Sequence, residues 1–293
     1  MSLFKSTVFG GVATALITPF RGGEIDYDAL SQLIELQIDA GVSALLVAGT
    51  TGEGSTLFAE EYRDLVAFAK AQIGGRVPLL AGCGANSTAR ALELTHAVCE
   101  GGADALLAVT PYYNRTNDRG IVAHYQALAD AATRPLMLYN VPSRTGFTLT
   151  LEHYRALAEH PNVVAVKEAS VDLCLLEQVV SELGDRLDVY TGNDNQTVAA
   201  LRLGARGVIS VYSNLDPRAM VELCRLCASG DFKRASARLR ALLPRINALF
   251  REVNPIPVKF LAAEEGLCAP EYRLPLAPPS ADTVRFLKGV FGG

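Results

Sequence analysis

Short apolar runs alternate along this chain with longer stretches whose apolar residues recur every three or four positions. The short runs cover residues 12–18, 44–48, 77–81, 105–110, 136–140, 163–167, 188–191 and 207–211. Each is brief, rich in small and β-branched residues, and bounded by turn formers, as expected of strands buried on both faces. Between them the helical spacing is plain. Residues 28–40 carry Leu30, Leu33, Ile34, Leu36 and Ile38, and residues 60–72 carry Leu65, Val66 and Phe68. The stretch opened by Ser87 and Thr88 carries Ala91, Leu92, Leu94, Val98 and Cys99. Gly41, Gly101 and Gly204 stand where three of these helices should stop, as left-handed caps. Helix end, glycine, small turn and next strand recur with a beat of about 20–35 residues, which is the length of a βα unit.

Eight such units in succession predict a (β/α)8 TIM barrel, with a doubly wound open sheet as the runner-up. The barrel is assigned to residues 1–228. Residues 229–293 read differently: helical runs at 232–243 and 246–253, a proline-rich stretch at 274–279, a last helix at 281–290, and no clear strand. They form a C-terminal helical extension.

Composition narrows the function. The chain has 293 residues, 49% hydrophobic and 20% charged, with a net charge of −4. Such a chain builds a large core and has no basic stripe for nucleic acid. No apolar run reaches the roughly 18 residues of a membrane span. Residues 1–6 lack the charged-then-apolar pattern of a secretory signal. Cys224 and Cys227 form a C-x-x-C in an apolar helical setting, without a second pair or a nearby histidine, so buried reduced thiols are expected. The protein is accordingly expected in the cytoplasm.

In a barrel of this kind the chemistry sits at the C-terminal ends of the strands. The sixth strand ends in Lys167. Burial disfavours the ammonium form, and a neutral amine attacks a ketone or aldehyde to give an imine. A strand-end lysine also serves simply to carry its charge to solvent along an apolar stem. The second strand leads into Gly49-Thr50-Thr51-Gly52-Glu53, a turn able to bind a small carboxylate or merely to cap the next helix. Tyr112 and Tyr113 follow the fourth strand, and Tyr139 with Arg144 follow the fifth. A tyrosine can handle a proton or form an amphipathic rim, and an arginine can clamp a carboxylate or make a surface ion pair. Gly192 after the seventh strand, with small residues after the eighth, leaves room beside the lysine. Asp194 lacks partners at ligand spacing, and none of His96, His124, His153 and His160 stands at ligand spacing from a cysteine or an acid. Phosphate-binding and dinucleotide motifs are missing, so the site calls for no metal and no cofactor.

Gly49–Glu53, Thr110-Pro111-Tyr112-Tyr113-Asn114, Tyr139–Gly146, Lys167-Glu168 and Asn254-Pro255-Ile256-Pro257-Val258-Lys259 occur in order along essentially the whole chain. Together they resemble the dihydrodipicolinate synthase family, within the pyruvate-dependent aldolases that include N-acetylneuraminate lyase. The resemblance implies that Lys167 forms an imine with pyruvate, whose enamine attacks L-aspartate-4-semialdehyde. It implies a carboxylate site at Thr51, helped by backbone near Ile209 and by Gly192. It assigns proton handling to Tyr139, a hydroxyl relay to Thr50 and Tyr113, and the second carboxylate to Arg144. It further implies a homotetramer built from tight dimers, with Tyr113 reaching into the neighbour's site. A related aldolase acting on a sugar acid or hydroxy-oxo acid, and a silent keto-acid-binding barrel, are the competing readings.

The resemblance also bears on regulation. In members inhibited by lysine, the effector site matches Gly54, Ser55, Ala59, Tyr62, Gly84, Asn86, Arg90 and Tyr112 here. Sensitive members tend to carry histidine or another polar residue near Ala59 or Tyr62, and a glutamate where Arg90 stands. A glutamate pairs with the effector's ammonium, whereas Arg90 repels it. Lysine inhibition is therefore expected to be weak or absent, and half-inhibition at millimolar lysine or below in a coupled assay contradicts this.

Overall fold

The computed structural model describes residues 8–292. The expectation about a signal in residues 1–6 lies outside them. Eight parallel strands close into a barrel: Gly11–Ala15, Ala44–Val47, Leu79–Gly82, Ala105–Val109, Leu136–Asn140, Val163–Glu168, Asp188–Thr191 and Gly207–Ser210. The first strand pairs with both the second and the eighth, which removes every free edge. A (β/α)8 barrel is thus the fold, and the open sheet is excluded.

Alternation along each strand makes two cores. Ala13, Leu46, Leu80, Leu107, Met137, Ala165, Tyr190 and Ile209 fill the barrel interior. Residues of the other parity, such as Val12, Leu45, Leu79, Leu106, Leu138 and Val166, pack outward under the helices. Phe9 stacks on Tyr190 with ring centroids 4.1 Å apart, and the Tyr190 hydroxyl donates to the Phe9 carbonyl at 2.7 Å. This closes the barrel floor and leaves its C-terminal mouth as the open end. Asp26, Asn117, Asp172, Asp216, Asp231 and Ser280 accept amides in the first turns of six helices and set where those helices begin.

Several boundaries differ from the pattern-based expectation. The third strand starts at Leu79 rather than Val77, because Pro78 has no N–H for the ladder. The first ends at Ala15 rather than Thr18, and the Ile17 amide turns to the Asn214 side chain at 3.1 Å. Gly41 and Gly204 are left-handed as expected, with φ of 86° and 101°, but Gly101 is not. Gly101 stays right-handed at −66°, and Gly102 makes the turn with φ of 88°. Glycine at 101 answers to a close approach instead: a Cβ there would lie 2.8 Å from the Arg63 carbonyl.

After the last barrel helix, Pro217–Ala228, come Phe232–Ala248, Ile256–Glu264 and Ala281–Phe291. The helix expected at 246–253 is not formed as such. Phe232–Ala248 runs on through Pro244, its stripe of Ala235, Leu239, Leu242 and Ile246 holding it to the core. Residues 249–253 are then turn, and the next helix begins only at Ile256. That irregular segment is brought to the barrel mouth.

Candidate active site

Lys167 shares its parity with Ala165 and Ala169, so it points into the barrel at the end of the sixth strand. It is 6% exposed. In register beside it on the fifth strand is Tyr139, and Lys167 Nζ lies 4.4 Å from the Tyr139 ring centroid. The next residue, Glu168, has the opposite parity and is turned away. Its carboxylate takes hydrogen bonds from Asn140, from the Tyr154 hydroxyl at 2.7 Å and from the Ser170 amide. Gly192 gives the lysine stem its space, since a Cβ there would meet Lys167 Cε at 2.9 Å.

The second strand ends in a tight turn, with Ala48 and Glu53 both left-handed at φ of 52° and 53°. Gly54 passes over Ala48 so closely that a Cβ would sit 2.2 Å from the Ala48 oxygen. This turn presents Thr50 and Thr51. Thr51 is buried and its hydroxyl accepts from Asn254 Nδ2 at 2.9 Å. Arg144, at the rim, donates to the Asn254 carbonyl at 2.9 Å. Asn254 therefore ties the threonine turn to the arginine. Behind the same turn, Glu53 and Lys259 form an ion pair at 2.5 Å with both side chains 0% exposed. Burial pushes the Lys259 ammonium below its usual range, against the pull of Glu53.

Thr50, Thr51, Tyr139, Arg144, Lys167 and Gly192 line one cavity of about 530 Å³, with Ser143, Asn193 and residues 250–254 on its walls. The sequence-derived residues that do not meet there are Ile209 and Tyr113. Ile209 is fully buried in the inner barrel layer, and the lining residue from that strand end is Val211. Tyr113 is 91% exposed, with a left-handed φ of 72°. A second cavity of about 290 Å³ shares the Thr50, Tyr139 and Arg144 wall and extends past Ser55, Tyr62, Gly84, Arg90 and Tyr112. Within it Arg90 pairs with Glu93 at 2.6 Å.

Two residues have structural roles that their place in the sequence does not indicate. Asn254, part of the Asn254–Lys259 motif, bridges Thr51 and Arg144. Asp194, an isolated acid in the sequence, is 1% exposed and holds the Val211 and Tyr212 amides at 2.9 and 3.0 Å. Among the described residues no group of three or more metal-ligating side chains comes together, and no helix is long and apolar enough to cross a membrane.

An amine beside a tyrosine, a hydroxyl turn and an arginine at the rim can form an imine with a small keto acid and hold carboxylates at both ends. Comparison with known proteins agrees in kind. Residues 8–289 match the family described as the dihydrodipicolinate synthetase family. The chain is 46% identical to 4-hydroxy-tetrahydrodipicolinate synthase of Exiguobacterium sibiricum, over 97% of this chain and 100% of the relative. The dihydrodipicolinate synthase structure from Aquifex aeolicus superposes with a TM-score of 0.94 at 41% identity, covering 97% of each chain. A chloride-inhibited dihydrodipicolinate synthase from Acinetobacter baumannii, solved with pyruvate, superposes with a TM-score of 0.94 at 39% identity and 98% coverage of each.

Proposed function

The chain belongs to the dihydrodipicolinate synthetase family, and from that premise we infer that it condenses pyruvate with L-aspartate-4-semialdehyde to 4-hydroxy-tetrahydrodipicolinate, in lysine and diaminopimelate biosynthesis. The observation that carries the chemistry is Lys167, buried in register beside Tyr139 with Nζ 4.4 Å from its ring. The Lys167 amine bonds to the keto carbon of pyruvate, and the carbonyl oxygen leaves as water. Loss of a methyl proton from the iminium gives an enamine, a carbon nucleophile. It attacks the aldehyde, and the substrate's own amine then closes the ring and releases Lys167.

Thr51, with backbone near Ile209 and the open space at Gly192, holds the pyruvate carboxylate. Tyr139 moves the protons, and Thr50 relays them. Arg144, steadied by the Asn254 carbonyl, orients the semialdehyde's carboxylate. The cavity offers the first reactant a fixed place, so much of the rate comes from positioning. The test is a substrate panel. Condensation with aspartate semialdehyde should dominate over cleavage of N-acetylneuraminate or 2-keto-3-deoxy acids, and the reverse order would favour the lyase reading. Borohydride with pyruvate should add mass at Lys167; a protein that only binds keto acids gains none.

The working assembly is a cytoplasmic homotetramer, a dimer of tight dimers, in which Tyr113 serves the neighbour's site. Its 91% exposure in the single chain supports this. Tyr113→Phe should lower turnover by roughly 10²-fold with the fold intact. Mixing it with Lys167→Ala should restore part of the activity, because one site of the hybrid then has both groups. No recovery in hybrids shown to have formed would count against a role in trans.

A further inference from the structure

The fifth and sixth strands do not keep one register along their length. Leu136 pairs with Val163 and Met137 with Ala165, which leaves Val164 between them as an extra residue. Its effect reaches the lysine. Val163 packs outward under the helices, whereas Ala165 fills the barrel interior. Unbroken alternation would put residues 163, 165 and 167 on the same outward face, and the Lys167 amine with them. The bulge reverses the parity and turns Lys167 inward. Only four pairs follow before the strands end: Met137 with Ala165, Leu138 with Val166, Tyr139 with Lys167, and Asn140 with Glu168.

The last of those pairs carries a side-chain clamp on the outer face. Asn140 and Glu168 are both buried, and Asn140 Nδ2 donates to the two Glu168 carboxylate oxygens at 3.1 and 3.0 Å. The carboxylate is held from two further sides, by the Tyr154 hydroxyl at 2.7 Å and the Ser170 amide at 2.8 Å. The other end of Asn140 is fixed too, its Oδ1 accepting the Leu149 amide at 3.0 Å. Burial, with the Glu168 carboxylate alongside, pushes the Tyr154 hydroxyl well up, so it stays a donor. Neither Asn140 nor Glu168 lines the cavity around Lys167.

We propose that Glu168 is a positioning residue: by clamping Asn140 on the outer face of the wall, it holds the reversed register that sets the Lys167 amine beside the Tyr139 ring on the inner face. This deepens the imine reading above and rests on it. Tyr139 and Lys167 are the preceding pair on the same two strands, so any splaying of the outer pair passes to them through one peptide unit on each side. The imine bond itself needs only the Lys167 amine. The following step asks more of the geometry. A methyl C–H bond of the iminium breaks, its proton goes to the Tyr139 oxygen, and its electron pair forms the carbon–carbon double bond of the enamine. A misplacement of about 1 Å is enough to cost such a step about 10²-fold.

The experiment follows both steps in Glu168→Gln, which keeps the size of the side chain but sets an amide nitrogen among donors. Borohydride reports the first step. Pyruvate in heavy water reports the second, since each enamine takes back a deuteron and hydrolysis then releases deuterated pyruvate. The extent of trapping at saturating pyruvate should stay within about threefold of wild type, while methyl exchange per folded protein should fall about 10²-fold. Asn140→Ala breaks the clamp from the other strand and leaves Glu168 its Tyr154 and Ser170 donors. It should show the same split, and either variant decides if the other does not fold. Exchange that is unchanged in a folded variant, or that falls only in step with trapping, overturns the inference. So does failure of both variants to fold, because the network is then a requirement of the barrel and not of its site. Wild type that traps no pyruvate overturns the imine reading itself, so the two failures are distinct.

Discussion

Replacing Lys167 with alanine is expected to lower turnover by roughly 10⁴-fold or more while the barrel stays folded. The size follows from what is lost. Without the amine no iminium forms, the methyl protons of pyruvate stay unactivated, and no enamine is available to attack the aldehyde. At about 1.4 kcal/mol per tenfold, this corresponds to about 5–6 kcal/mol of transition-state stabilisation. Folding should survive because Lys167 makes no ion pair among the described residues, and its head group lines an open cavity. The checks are steady-state turnover in a coupled assay, the missing borohydride adduct, and an unchanged circular dichroism spectrum. Activity within tenfold of wild type would sink the covalent mechanism.

Lys259→Met should have the largest effect on stability. Glu53 and Lys259 are both fully buried and 2.5 Å apart, with the Arg273 amide and the Phe20 ring completing the surroundings. Removing the cation leaves a fully buried carboxylate without its counter-charge, at a cost of about 3–5 kcal/mol. For a chain of this size the unfolding midpoint should drop by roughly 10 °C. Adding Glu53→Gln should recover part of the loss, since no buried charge then remains. Loss of the pair should also raise the KM for pyruvate, because Lys259 follows Asn254, whose side chain donates to Thr51. A single-variant loss below about 1 kcal/mol, measured by thermal or denaturant unfolding, would mean the pair is hydrated or replaceable.

Much of this was legible before any coordinate. The parity of Val163–Glu168 puts Lys167 on one face and Glu168 on the other whatever the tertiary context. The Gly-Thr-Thr-Gly-Glu turn is local chemistry too, whereas the third strand's start after Pro78 and the side-chain caps of the helices came only with the structure. Gly101 shows the limit. Its place at a helix end suggested a left-handed cap, but a neighbouring helix 38 positions upstream, at Arg63, dictates the glycine. The stretch 249–253 shows the same limit: its periodicity fits a helix, yet it is irregular where it lines the barrel mouth.

The linear pattern determined the βα alternation that closes into a barrel and the place of Lys167 at the end of the sixth strand. These depend on periods of two and 3.6 residues and on short turns, which neighbours in sequence settle among themselves. Tertiary structure alone decided which distant residues meet at that end of the barrel. Asn254 meets Thr51 across 203 positions, Lys259 meets Glu53 across 206, and Asp194 reaches the amides that follow the eighth strand. Those contacts exist only because closing the barrel brings every strand end to one mouth, and no local spacing encodes that convergence.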